Sequence, residues 1–168
     1  IEEKDIVSID IGVHFNGAIG DCATTVSCTE QPPEIARLLQ GTAEALELGI
    51  KAARPGNYVR DISAAIEGCA KRCKLGVVRE YVGHGCGIQL HEPLEIPNFV
   101  GAGRGSLLAP GMVLAIEPML NAGSGAVSTD KIDHWTVRTK DGRWSAHFEN
   151  MILITDNEPE ILTCQKMM

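Results

Sequence analysis

Residues 5–26 read DIVSIDIGVHFNGAIGDCATTV, and this stretch decides the fold. The run from Ile6 to Val13 is rich in β-branched residues, and Asn16-Gly17 follows it, the strongest short-range signal for a two-residue hairpin turn. With Asn16 and Gly17 as the turn, Phe15 pairs with Ala18, Val13 with Gly20 and Gly12 with Asp21. Side chains alternate along a strand, so Asp10 and Gly12 share a face. Asp10 and Asp21 then become diagonal neighbours on that face, roughly 7–8 Å apart before side-chain reach is counted. Two carboxylates so placed can close on shared cations. Each alone has a plainer reading, a strand residue facing water or a turn residue, and the pair carries more weight than either member.

Outward from the hairpin, Pro32-Pro33 opens a helix in which Ile35, Leu38, Leu39, Thr42, Leu46 and Ile50 recur at helical spacing, until Arg54-Pro55-Gly56 stops it. A second helix is predicted after Asn57, running to about Leu75 with Gly76 as its C-terminal cap. A strand over Val77 to Tyr81 leads into Gly83-His84-Gly85-Cys86-Gly87, and Glu92 to Pro97 reads as a proline-containing loop. Met112 to Ile116 is an apolar strand ending at Glu117-Pro118, with a small polar loop over Asn121 to Gly125. His134 to Thr139 and Trp144 to Thr155 flank Asp141-Gly142, a second hairpin signal that pairs Glu149 with His134 and Phe148 with Trp135. Strands with two helices in one segment predict a mainly antiparallel α+β layer.

Bulk properties narrow the function classes. The chain has 168 residues, enough for one core, and 44% are hydrophobic. Its net charge of −7 disfavours broad attraction to nucleic acid or an acidic membrane. There is no run of about 18 apolar residues, so no transmembrane helix is expected. No secretory leader is visible, and a cytoplasmic location is expected. Cys22, Cys28, Cys69, Cys73, Cys86 and Cys164 form no paired zinc framework and read as free thiols. The spacing of Cys69 and Cys73 on a helix fits core packing better than metal. Cys86 reads as a small loop filler. The chain opens at Ile1 and enters a strand pattern almost at once, so it is expected to be a piece of a longer polypeptide.

The chemistry-bearing residues are few. His84 lies between two glycines, which clear bulk around an imidazole able to bind a transition metal, although a lone loop histidine commonly has no role. His91 repeats that ambiguity. Glu117 closes an apolar strand, and a carboxylate there is costly to bury unless it is paired or metal-bound. Glu149 lies in another β-rich run. Carboxylates with one imidazole suit Mn²⁺, Fe²⁺ or Co²⁺, and bridging carboxylates favour a two-metal centre that activates water.

Those residues carry a resemblance. The stretches Asp5-Ile6-Val7-Ser8-Ile9-Asp10, Gly20-Asp21, Gly83-His84-Gly85, His91-Glu92-Pro93, Ile116-Glu117-Pro118-Met119, Trp135-Thr136-Val137 and Phe148-Glu149 resemble the type I methionine aminopeptidases of the pita-bread family. The spacings fit too: eleven residues from Asp10 to Asp21, sixty-three to His84 and thirty-three to Glu117. The resemblance covers the whole chain. It implies a single metallopeptidase catalytic unit over 1–168, the C-terminal portion of a pita-bread fold whose antiparallel sheet is covered by helices. It also implies two divalent ions, of Co, Mn, Fe or Zn. Asp10 would chelate one ion, His84 and Glu117 the other, with Asp21 and Glu149 bridging. Glu117 would shuttle a proton, His91 would contact the substrate amide and developing oxyanion, and Trp135 and Leu90 would shape the methionine pocket.

The implied substrates are N-terminal methionine peptides and nascent chains, and a monomer is expected. A proline-directed aminopeptidase of the same fold would share the five ligands, and a truncated, inactive member acting as a binding protein is the alternative from another class. Departures from the family pattern are visible, among them a loop between Glu117 and Trp135 that is one residue longer. No histidine precedes Asp10, Leu90 stands where Phe is frequent, His147 where Gln is usual, and Asn150 where His is usual.

Overall fold

The structure is a computed structural model that describes residues 1–30 and 32–163. In chain order the elements are β1 (Ile6–Phe15), β2 (Ala18–Ser27), α1 (Pro33–Ala52), α2 (Val59–Arg72), β3 (Gly76–Val77), β4 (Gly83–Gly85) and β5 (Glu92–Ile96). There follow β6 (Val113–Ile116), β7 (Met119–Asn121), β8 (Val127–Thr129), β9 (Val137–Thr139), β10 (Ser145–His147), β11 (Glu149–Leu153) and β12 (Glu160–Ile161). The main sheet has the order β1-β2-β11-β6-β4-β5, with β12 beside β11, and its strand pairs are antiparallel.

The first hairpin forms in the predicted register, with Phe15 opposite Ala18, Gly12 opposite Asp21 and Asp10 opposite Ala23. Asn16 and Gly17 both take positive φ, 50° and 84°, the two left-handed residues that such a tight turn needs. Next, α1 opens with Pro33 in its first turn, where a missing N–H costs nothing, and buries Ile35, Leu38, Leu46 and Ile50. Gly41 lets α1 approach the end of α2, because a Cβ there would stand 2.8 Å from Leu75 Cδ1 and 3.1 Å from Cys73 Sγ. Cys69 is fully buried against this contact, its thiol directed at the Gly41 carbonyl, which is the packing role expected of it.

The end of α2 corrects one expectation. The cap is not Gly76. Lys74 takes the left-handed conformation, φ 55°, its N–H donating to Lys71 O while that of Leu75 donates to Ala70 O. Gly76 is instead a strand residue whose missing side chain admits the backbone of residues 123–125, and β3 stops at Val77 rather than Tyr81.

Two further expectations give way. Glu92 to Pro97 is not a loop: Glu92–Ile96 is an edge strand on β4, and an edge tolerates Pro93 because its ladder needs no donor on the outer side. The second hairpin does not form as read. Glu149 pairs with Ala23 of β2, not with His134, and the Trp135–Phe148 pairing is likewise absent. The segment breaks into three: β9 pairs with β8, β10 with β7, and β11 with β2 and β6. Asp141 anchors the loop before β8 by accepting the Ser124 N–H, so the turn serves another partner.

Alternation across the sheet separates two faces. Leu114, Ile116 and Ile152 join α1 and α2 in the main core. Ala115 and Met151, with Cys86, pack on the other face. On β1 the residues of the helix-side face, Ile9, Ile11, Val13 and Phe15, stay exposed, since the two helices do not reach that edge. Among the described residues no helix is long and apolar enough to cross a membrane, and the described cysteines are all free thiols; Cys164 lies outside the described residues.

Candidate active site

The face opposite the helices gathers the carboxylates. Asp10 and Glu149 are both strand partners of Ala23, from β1 and β11, and Asp21 lies two residues from Ala23 along β2. Glu117 follows β6, and the Asn98 side-chain amide fixes its backbone by donating to its carbonyl. His84 comes from β4, where glycines on both sides are forced: a Cβ at Gly83 would stand 2.4 Å from Ala115 O, and one at Gly85 2.7 Å from Pro93 O.

Donor atoms of His84, Glu117 and Glu149 lie within 4.8 Å of one another, and so do those of Asp10, Asp21 and Glu149. Glu149 belongs to both triads. Asp21 reaches across as well, with Oδ2 3.8 Å from His84 Nε2, while Glu117 Oε1 is 3.4 Å from the same nitrogen. His84 Nδ1 bonds the Gly85 carbonyl at 2.9 Å, so Nδ1 carries the proton and the Nε2 lone pair faces the carboxylates. That is the tautomer a metal requires.

Electrostatics fit the same use. The basic side chains within 4.0 Å of these carboxylates are the imidazoles of His84 and His147, not lysine or arginine. Burial pushes Glu149 up to about 9, helped by the charges of Glu117, Asp21 and Asp10. Burial likewise pushes Glu117 up to about 8, with Asp21 and Asp10 adding to it. Asp21 is raised by burial and by Asp10, against the pull of His84 and His91. Glu149 Oε1 is buried with no hydrogen-bond partner, a costly condition that a cation would relieve. The donor set, four carboxylates and an imidazole at the base of one cavity, fits divalent metal ions.

A cavity of about 1270 Å³ opens over this floor, and Asp10, Asp21, His84, Leu90, His91, Glu117, Trp135 and Glu149 all line it. The structure thus brings every candidate residue around one space. His91 packs edge-on against His84, ring centroids 4.4 Å apart. Its loop is held by the Glu92 carboxylate, which accepts the N–H groups of Ile88 and Gln89. Leu90 fills the room that Gly12 leaves, since a Cβ on Gly12 would be 3.2 Å from Leu90 Cδ1. Trp135 stands at the rim, 85% exposed, on a loop laced by Asp133, which accepts the N–H groups of Trp135 and Thr136. The sulfur of Cys86 is near Asp21 and His84, but burial pushes its thiol up to about 11 and it is directed at Met151 Sδ, so it fills space.

The chain belongs to metallopeptidase family M24. Residues 1–156 match that family. The chain is 47% identical to a methionine aminopeptidase of Clostridium acetobutylicum, over 97% of its own length and 65% of that relative. It therefore spans just under two thirds of the length of such curated relatives. A methionine aminopeptidase structure from Rickettsia prowazekii superposes with a TM-score of 0.94 at 38% identity, covering 98% of this chain and 66% of the other. A prolidase from Pyrococcus furiosus, at 22% identity and a TM-score of 0.77 over 99% of this chain and 43% of its own, shares the fold alone. The α+β pita-bread architecture, with its antiparallel sheet and two helices, is thereby established for this M24 member.

One residue at the site was named in the sequence only as a departure from the family pattern. His147 lines the same cavity, with Nε2 3.7 Å from Glu117 Oε2. Its two-residue spacing from Glu149 was the available signal, because alternation turns both to one face. Burial lowers its pKa, against the pull of Asp10.

Proposed function

We propose that residues 1–168 form the catalytic unit of a methionine aminopeptidase, which hydrolyses the peptide bond after an N-terminal methionine. The observation that carries this reading is the pair of ligand triads sharing Glu149, built from the five residues the motifs single out. Its specificity for methionine is supported by the relatives at 47% identity rather than by the floor of the site, which a proline-directed enzyme would share.

Asp10 would hold one ion, His84 and Glu117 the other, and Asp21 and Glu149 both. Two such ions supply Lewis acidity toward the scissile carbonyl and toward a water molecule. Glu117 takes a proton from the attacking water and delivers it to the departing amine. His91, at the cavity wall beside His84, contacts the scissile amide and steadies the developing oxyanion. Leu90 and Trp135 bound the apolar part of the cavity that takes the methionine side chain. Peptides beginning with methionine and a small second residue, including nascent chains in the cytoplasm, are the substrates of this reading. The chain works as a monomer, and Co, Mn, Fe and Zn are the ions to try.

Assaying Met-Ala-Ser and Ala-Pro peptides with the metal-loaded chain tests the proposal. Release of free methionine from the first supports it. Cleavage of the proline peptide alone would transfer the chain to the proline-directed class. Two ions bound per chain with neither peptide cleaved would point to residues upstream of this segment that turnover needs, since the chain covers 65% of its relative's length.

A further inference from the structure

Glu117 lies between two imidazoles. His84 Nε2 faces its Oε1 at 3.4 Å, and His147 Nε2 faces its Oε2 at 3.7 Å. The other ring nitrogen of His147, Nδ1, stands 4.0 Å from Asp10 Oδ2. The His147 ring therefore spans from Asp10, in one triad, to Glu117, in the other. The side chain is only 16% exposed, and Nε2 is buried without a hydrogen-bond partner. Neither triad includes His147, so it stands beside the ligands rather than among them.

The backbone of His147 is secured independently of its ring. Its N–H donates to Thr25 Oγ1 at 2.9 Å, and the same hydroxyl donates to its carbonyl at 2.8 Å. The ring is thus free to serve the site without being needed to hold the strand.

The geometry points to His147 as a positioning residue for the metal centre, one that directs Glu117 Oε2 through Nε2–H and leaves Oε1 to the ion shared with His84. This inference rests on the dinuclear-metal reading above. A separation of 3.7 Å is too long for a direct hydrogen bond, and a small swing of either side chain, or one bridging water, completes it. Glu117 has two tasks, binding an ion and moving a proton, and a carboxylate free to rotate would do both poorly. An imidazole on one oxygen fixes which oxygen does which. Partners that orient a metal ligand in this way commonly change metal affinity or activity on the order of 10–100-fold when removed.

Titration of the purified chain with Mn²⁺ and Co²⁺, followed by calorimetry and by the Co²⁺ absorption bands, tests this. His147→Ala is expected to weaken the ion held by His84 and Glu117 on the order of 10–100-fold. His147→Gln, whose amide N–H can reach the same oxygen, is expected to recover most of that loss with an unchanged Co²⁺ spectrum. The thermal midpoint of the metal-free chain should be the same in all three proteins. Native-like affinity in His147→Ala overturns the inference. So does a His147→Gln variant as weak as His147→Ala with altered Co²⁺ bands, which would make His147 a direct ligand. A metal-free midpoint lowered in both variants overturns it in favour of a packing role. A native chain that takes up no ion defeats the metal reading itself, and this inference with it.

Discussion

Glu149 pairs directly with Ala23, and the methyl group of Ala23 is the floor over which the Glu149 and Asp10 carboxylates converge. A larger side chain at that place would occupy the volume between them. Ala23→Leu is therefore expected to lower Mn²⁺ or Co²⁺ affinity at least on the order of 10–100-fold, read by calorimetry. Unchanged affinity would mean that the carboxylates do not bind ions over this residue.

The raised carboxyls set a pH dependence for the metal-free chain. Glu149 and Glu117 titrate near 9 and 8 in the folded chain and near 4.5 when unfolded, so between those values the folded state holds more protons. Stability then falls as pH rises through that window, by up to about 1.4 kcal/mol per pH unit for each proton retained. Denaturation of the metal-free chain at several pH values from about 5 to about 9 should show this decline, and saturating Mn²⁺ should flatten it. A metal-free chain equally stable across the window would contradict the burial of the two groups.

Glu149→Gln separates stability from function. Removing the group most reluctant to ionise should stabilise the metal-free chain at pH 8 by more than about 1 kcal/mol while abolishing tight metal uptake. Chemical denaturation and metal titration on one preparation check both halves. A loss of stability would show that the carboxylate is better accommodated than its buried, unpartnered Oε1 indicates.

Gly83 is where the backbone itself makes room for the site. A Cβ there would meet Ala115 O at 2.4 Å, on the strand beside β4, so Gly83→Ala must push β4 and β6 apart. The expected cost is about 1–3 kcal/mol, with displacement of the adjacent His84. Urea denaturation checks the first, and the affinity for Co²⁺ the second.

Trp135 makes the opposite prediction. It is largely exposed, so Trp135→Ala should change stability by less than about 0.5 kcal/mol. Under the proposed function, in which Trp135 bounds the methionine pocket, the same change should raise KM for Met-Ala-Ser by about tenfold with little change in kcat, the pattern of a lost uniform binding contact. A kcat effect with constant KM would remove it from the pocket.

What the sequence made legible was local. The register from Ile6 to Ser27 follows from Asn16-Gly17 because a two-residue turn leaves one way to pair its flanks. The extent of α1 followed from periodicity and from Pro33, whereas α2 ends at Arg72, short of the expected Leu75. What could not be read was the partner of Glu149. Asp141-Gly142 promised His134, yet the distant β2 and β6 offered a central sheet position with both sides paired. Residues 137–139 found β8 instead. The candidate residues drew notice because their identities are unusual for their settings, a carboxylate closing an apolar strand and a histidine between glycines, and the family resemblance then grouped them. His147 carried no such mark, and only its placement two residues before Glu149 shows what it faces.

The β1 strand ends the main sheet among the described residues, ten residues long and apolar along Ile9, Ile11, Val13 and Phe15. An open strand with a greasy outer surface is a template for adding further strands, from its own kind or from any extended peptide. Wherever this edge is left bare, sample concentration rather than temperature will limit how long the molecule stays dispersed. Lysine placed at Ile11 or Val13 should then extend its shelf life without touching the carboxylate cluster on the opposite side.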